Sequence, residues 1–304
     1  MQAAPATGGP SSGIEGRVRA VTKHVPFRAA ATIFNVVLST MGRGGRAPNW
    51  LVSDGIGDYP AMELNVSSPF QRRMFYFPRA YWERLMGLPF GRYLAQTLEE
   101  GQVFFDIGAN IGFYSLFAAR RVGPSGQVFS FEPDPMTFES LARSAKRNGF
   151  GWMSCVNVAL SDREGEMPFF TVSDGSAHSL VPEIERRAGR YSGQVPVRVT
   201  RLDDLTREAQ VSPRRIDLIK IDVEGEEPRT VLGMRATLEK FGHPRVWAEV
   251  RGPRGSTRAP NTYPAVAGAL RELGYVPLQW KKSVLRPVRD ADIVGREDVL
   301  FQHT

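Results

Sequence analysis

The sequence predicts an α/β fold: a mostly parallel sheet with helices on both faces, plus an N-terminal extension. Three observations predict it. From residue 103 onward, short apolar runs alternate with helical patterns, as in parallel strands joined by crossover helices. The first run, Val103–Ile107, leads into a glycine-rich turn that opens a helix. Acidic residues fall at the ends of successive runs, and the carboxyl edge of a parallel sheet is where ligands bind.

The chain has 304 residues, 42% hydrophobic and 23% charged, which fits one large domain with an extension. Its single cysteine, Cys155, excludes an internal disulfide and favours a reducing, cytoplasmic setting. Cys155 lies in an apolar run and reads as a buried, inert thiol. The net charge of +7 admits nucleic acid or anionic membrane as partners. Only six of the 39 basic residues are lysine, however, and the arginines are spread along the chain. A general preference for arginine gives the same charge, so nucleic acid is not the expected partner.

Residues 1–45 read as a flexible, basic extension. Residues 1–16 are rich in Ala, Gly, Pro and Ser and predict a disordered tail. Residues 17–41 place basic side chains before an apolar run too short to span a bilayer. A helix packed on the domain and a peripheral helix on a membrane surface both fit this stretch. Residues 46–100 form a cap segment, with a strand over Ala61–Val66 and an aromatic–arginine mixture over Phe70–Leu85. Such a mixture can stack on bases, but it also suits a half-buried cap that shapes a substrate pocket.

Residues 101–304 form the main domain. Strands are predicted over Val103–Ile107, Gln127–Phe131, Met153–Ala159, Ile216–Ile221 and Arg245–Val250. Helices are predicted over Ile111–Arg121, Pro135–Asn148, Glu226–Phe241 and Tyr263–Leu273. Two final strands cover Tyr275–Gln279 and Val299–Gln302. Met167–Val172 and Val195–Thr200 read as a hairpin pair inserted before the fourth strand.

The turn after Asp106 carries Gly108, Asn110 and Gly112. This is not the three-glycine spacing of a dinucleotide site, and a carboxylate there would repel a pyrophosphate. It suits a ligand with a cationic amine, such as the methionine part of S-adenosylmethionine. Glu132 ends the second strand, 26 positions after Asp106, where an acid accepts from ribose hydroxyls. Ser161 or Asp162, ending the third strand, is placed for an adenine amine.

The fourth strand runs into Lys220–Glu227, the densest polar cluster in the chain. Strand alternation puts Lys220 and Asp222 on one face, where they can pair. Asp222 and Glu224 are candidate general bases for an acceptor hydroxyl. Glu226 and Glu227 read as acids favouring a helix N-terminus. Asp222 and Glu224 would also suit Mg²⁺, but no further ligand stands out and no metal is assigned. Glu249 ends the fifth strand at the same edge. His178, in the insertion, is a further candidate base, although a surface histidine is the plainer reading.

Four pieces, Asp106–Tyr114 (DIGANIGFY), Phe131–Pro133 (FEP), Ala159–Asp162 (ALSD, followed by Gly165) and Lys220–Glu226 (KIDVEGE), occur in this order. Together they resemble the FkbM family of S-adenosylmethionine-dependent methyltransferases, over roughly residues 60–304. The resemblance implies a class I, Rossmann-like fold of seven strands, the last antiparallel. It also implies S-adenosyl-L-methionine as cofactor and methyl transfer to a hydroxyl of a small molecule or glycan, of sugar or polyketide type. Asp106, Gly108 and Glu132 would then contact the cofactor, with Asp222 and Glu224 at the active-site edge. The segment around Tyr81-Trp82-Glu83 and the residue His178 depart from the family pattern, and both bear on the acceptor pocket. An RNA methyltransferase and a non-catalytic partner subunit are the alternatives. No Asn-Pro-Pro-Tyr-like motif follows the fourth strand to favour the first.

Overall fold

The computed structural model describes residues 50–304, except 58, 66–67, 173–178, 182–190, 254–259 and 282. Residues 1–41 and His178 lie outside the described residues.

The described chain opens with an antiparallel ribbon, β1 (Trp50–Ser53) and β2 (Met62–Asn65). Three helices follow: α1 (Pro69–Tyr76), α2 (Pro78–Met86) and α3 (Pro89–Thr97). Each begins on a proline, whose fixed φ and missing N–H suit a first turn. The aromatic–arginine stretch is therefore two helices divided at Pro78. Its rings face inward: Phe75, Tyr76, Phe77 and Trp82 are buried, and Trp82 packs on Phe113. Each such burial is worth about 1.5–3 kcal/mol, and these four rings are not presented to a base.

The chain continues through β3 (Val103–Ile107), α4 (Phe113–Val122), β4 (Gln127–Phe131), α5 (Pro135–Arg147), β5 (Met153–Val156) and β6 (Ala159–Leu160). Then come β7 (Gly165–Val172), β8 (Tyr191–Thr200), α6 (Leu202–Arg207), β9 (Leu218–Ile221), α7 (Glu227–Leu232) and α8 (Arg235–Lys240). The last elements are β10 (Arg245–Arg251), α9 (Tyr263–Arg271), β11 (Tyr275–Lys281), β12 (Val284–Pro287) and β13 (Arg296–His303).

The main sheet has the order β12-β11-β13-β10-β9-β3-β4-β5. Strands β10, β9, β3, β4 and β5 run parallel, and β13 runs antiparallel between β10 and β11. The seven expected strands are present. An eighth, β12, folds back on β11 as an edge strand. Alternating side chains of β3 feed two cores: Phe104 joins Leu116 and Leu141 on one face, and Phe105 joins Ile219 and Leu238 on the other. The β1–β2 ribbon docks on α5, where Glu63 N–H donates to Ser144 Oγ at 2.8 Å and Asn148 exchanges bonds with Ala61.

Two elements differ from expectation. The third strand is not continuous over Met153–Ala159. Asn157 Nδ2 donates to the carbonyls of Glu132 and Pro133, at 2.8 and 2.9 Å, and turns the chain out of the main sheet. Beyond it, β6 pairs with β8 in a separate three-stranded sheet, β6-β8-β7, with β7 and β8 antiparallel. The helix expected over Glu226–Phe241 is two, α7 and α8, divided at Gly233. A Cβ at Gly233 would lie 1.9 Å from Ser161 O, so the chain passes against another backbone there. The start of α8 is capped from α6: Asp203 accepts from Ala236 N–H, Thr237 N–H and Thr237 Oγ1.

Cys155 is half-buried and its burial pushes the thiol up to about 12, as an inert thiol requires. Among the described residues, no helix is long and apolar enough to cross a membrane.

Candidate active site

The site forms at the carboxyl ends of β3, β4 and β9. Gly108 leaves β3 with φ +78°, and its N–H and that of Ala109 both donate to Phe131 O. A Cβ at Gly108 would lie 2.0 Å from Asp222 O. Only glycine lets the two strand ends approach this closely. Asn110 also has positive φ, which its side chain stabilises by accepting from Ile111 N–H at 2.7 Å.

Glu132, 6% exposed, accepts from Asn110 N–H at 2.8 Å and from Asp134 N–H at 2.9 Å. Burial pushes its carboxyl up to about 8, with the two backbone N–H groups pulling the other way. Gly112 has a packing role instead: a Cβ there would lie 2.1 Å from Leu141 Cδ1, between α4 and α5.

Gly108, Asn110 and Glu132 line a cleft with an empty volume of about 730 Å³. Val158, Leu160, Phe169 and Leu180 give it an apolar wall, and Asp222, Glu224 and Glu226 a polar one. The inserted sheet thus supplies part of the cleft. Ser161 and Asp162 do not line it. Ser161 is fully buried and its N–H donates to Thr200 O; Asp162 pairs with Arg163. Glu226 takes their place: it lines the cleft, accepts from Ser161 Oγ, and has its carboxyl raised by burial. In the sequence it was indistinguishable from a helix-terminal acid. Glu227 stands in the first turn of α7 and accepts from Gly225 N–H at 2.8 Å, ahead of the helix, and burial pushes it up to about 7.

Asp106 does not face the cleft. It is 1% exposed, and its oxygens accept from Ser115 Oγ at 2.6 Å and Lys220 Nζ at 3.3 Å. Lys220 Nζ also lies 3.5 Å from Asp222. Burial opposes the lysine charge, but Asp106 and Asp222 outweigh it and hold the pKa above the usual lysine range. Asp106 therefore anchors Lys220 beneath Asp222, where a direct meeting with a cationic amine was expected.

Asp222 lines the main cleft and also a second cavity of about 320 Å³. Tyr114, Lys220, Trp247, Glu249 and Asp298 line the second cavity, with Leu88 and Phe90 from the cap segment. Glu224, at φ +51°, is clamped by Arg251 and Arg296, so its charge is compensated. Carboxylate oxygens of Asp222, Glu224 and Glu249 lie within 4.8 Å of one another. Arg296 contacts all three and supplies the positive charge that such a group needs. Neither Arg251 nor Arg296 was legible from sequence spacing.

The strand order, the single antiparallel strand in the seven-stranded core and the cleft at the β3–β4 ends define a class I methyltransferase fold. Residues 106–277 match the methyltransferase FkbM domain, and the chain belongs to that family. The 2-O-methyltransferase NoeI of Sinorhizobium fredii is 32% identical over 201 residues, covering 61% of this chain and 78% of NoeI. Methyltransferase sdnD of Sordaria araneosa is 31% identical, over 45% of this chain and 62% of its own. The 31-O-demethyl-FK506 methyltransferase FkbM of Streptomyces tacrolimicus is also 31% identical, over 45% of this chain and 61% of its own. The chain thus spans about six tenths of the last two. The solved methyltransferase FkbM from Methylobacillus flagellatus superposes with a TM-score of 0.42 at 15% identity, over 76% of this chain and 54% of that one.

Proposed function

We propose that the protein transfers a methyl group from S-adenosylmethionine to a hydroxyl oxygen of a small molecule or glycan. One observation carries the reading: Asp222 borders both the main cleft and the second cavity, so a donor in one and an acceptor in the other would share an edge. In-line displacement needs donor and acceptor sites that meet at a point. The relatives' names fit a hydroxyl acceptor, since NoeI is a 2-O-methyltransferase and FkbM acts on 31-O-demethyl-FK506.

The residues of the main cleft fit the cofactor. Glu132 can accept from ribose hydroxyls with the lone pairs left by its two backbone donors. Glu226 is placed for an adenine amine beside the apolar wall, and the Gly108 turn admits the chain of the amino acid. When bound, S-adenosylmethionine supplies an electrophilic methyl on a sulfonium. Asp222 takes the proton from the acceptor oxygen, and the anchored Lys220 fixes its orientation. Glu224, clamped by two arginines, is a frame for the site. Residues 46–100 act as the cap that closes the acceptor side, through Leu88 and Phe90, over a catalytic domain of residues 101–304.

Two variants test the assignment. Glu132→Ala should weaken S-adenosylmethionine binding in calorimetry by about tenfold or more, because it removes the buried acceptor of the ribose hydroxyls. Asp222→Asn should bind the cofactor normally and lose on the order of 10²–10⁴ in methyl transfer to a panel of glycosides and macrolides. Full turnover by Asp222→Asn would remove Asp222 as the base.

A further inference from the structure

The second cavity narrows the acceptor class. Its polar lining is dominated by carboxyls: Asp222, Glu249 and Asp298. The cations nearby are already committed. Lys220 is paired with Asp106 and Asp222, and Arg296 with Glu224, Glu249 and Asp222. Two cations shared among Asp106, Asp222, Glu224 and Glu249 leave an excess of acidic side chains around the cavity, and none of these pairs is offered to an incoming anion. Asp298 Oδ1 accepts from Trp247 Nε1 at 3.1 Å, while its Oδ2 has no protein donor among the described residues. Carboxylate oxygens left open in a small cavity are acceptors for ligand hydroxyls.

We propose that this cavity is the acceptor site, and that Glu249 and Asp298 select an uncharged polyhydroxyl ring over one bearing a carboxylate. The inference rests on the methyltransferase reading above and adds the charge class of its substrate. Glu249 and Asp298 act as specificity residues: they accept from ring hydroxyls and repel an acidic substituent. Asp222 at the junction then meets the hydroxyl that faces the main cleft.

The test uses the full chain loaded with S-adenosylhomocysteine, with loading confirmed by calorimetry. Methyl glucoside and methyl glucuronide serve as matched neutral and acidic probes, and their binding is followed by saturation-transfer NMR. The glucoside should bind about tenfold or more tightly than the glucuronide, as expected for a like charge brought into a poorly solvated site. In Asp298→Asn and Glu249→Gln the gap should narrow because glucuronide binding improves, with S-adenosylhomocysteine affinity unchanged. Asp298→Asn retains an oxygen for Trp247, so it tests charge with shape conserved. Equal binding of the two probes by the wild type, or binding of neither, overturns the proposal. Failure of S-adenosylhomocysteine to bind overturns the methyltransferase reading itself, and calorimetry reports that separately.

Discussion

Acids at the two ends of the site are held by different means. At the β4 end, Glu132 is fixed by two backbone N–H groups, those of Asn110 and Asp134. At the β9 end, Asp106, Asp222, Glu224 and Glu249 are held by Lys220, Arg251 and Arg296. A backbone clamp comes from the path of two adjoining loops and depends little on distant side chains. A charge clamp needs partners from β9, β10 and β13 and changes when any one of them is replaced. The first arrangement resists change at any single side chain, and the second can be retuned one residue at a time.

The comparison breaks most easily at Lys220. Lys220→Met leaves Asp106 almost fully buried without its cation, and should cost about 3–5 kcal/mol in urea denaturation. Adding Asp106→Asn should restore much of that loss. A cost below about 1 kcal/mol for the single variant would mean that Ser115 alone satisfies Asp106. Next in size is Gly108→Ala. It forces a side chain to φ +78° and into Asp222 O, and should cost about 2–4 kcal/mol together with S-adenosylhomocysteine binding.

A smaller effect on each group comes from pH. Glu132 and Glu227 are pushed up to about 8 and 7 from 4.5. The folded protein thus holds protons that the unfolded chain has released. Stability from these groups is complete below pH 4.5 and is lost as pH rises through their folded values. The slope is at most about 1.4 kcal/mol per pH unit for each group. Thermal unfolding should therefore move to lower temperature between pH 6 and 9, and Glu132→Gln should flatten the slope. An unfolding temperature that rises over this interval would show that the buried acids are ionised when folded.

Much of the fold was legible because parallel strands buried on both faces read as apolar runs, and β3, β4, β9 and β10 fall where those runs lie. The turn out of the sheet at Asn157 was not, because it depends on carbonyls of Glu132 and Pro133 beyond the reach of any local pattern. The split between α7 and α8 has a similar origin, since Gly233 meets Ser161 only in the folded chain. In the site, Gly108, Asn110 and Glu132 were readable from a short motif and its strand. Glu226 was hidden by the dual meaning of an acid at a helix start. The direction in which Asp106 faces was decided by Lys220, 114 positions away.

The cap that Asp203 places on α8 bears on the order in which the chain assembles. Six residues with no side-chain cap of their own make a helix too short to persist alone. Its first N–H groups find their acceptor only when α6 arrives, after β9 and α7 have been laid between them. Amide protection in α8 should then appear together with that in α6 during refolding, later than in α5, which carries its own cap at Asp134.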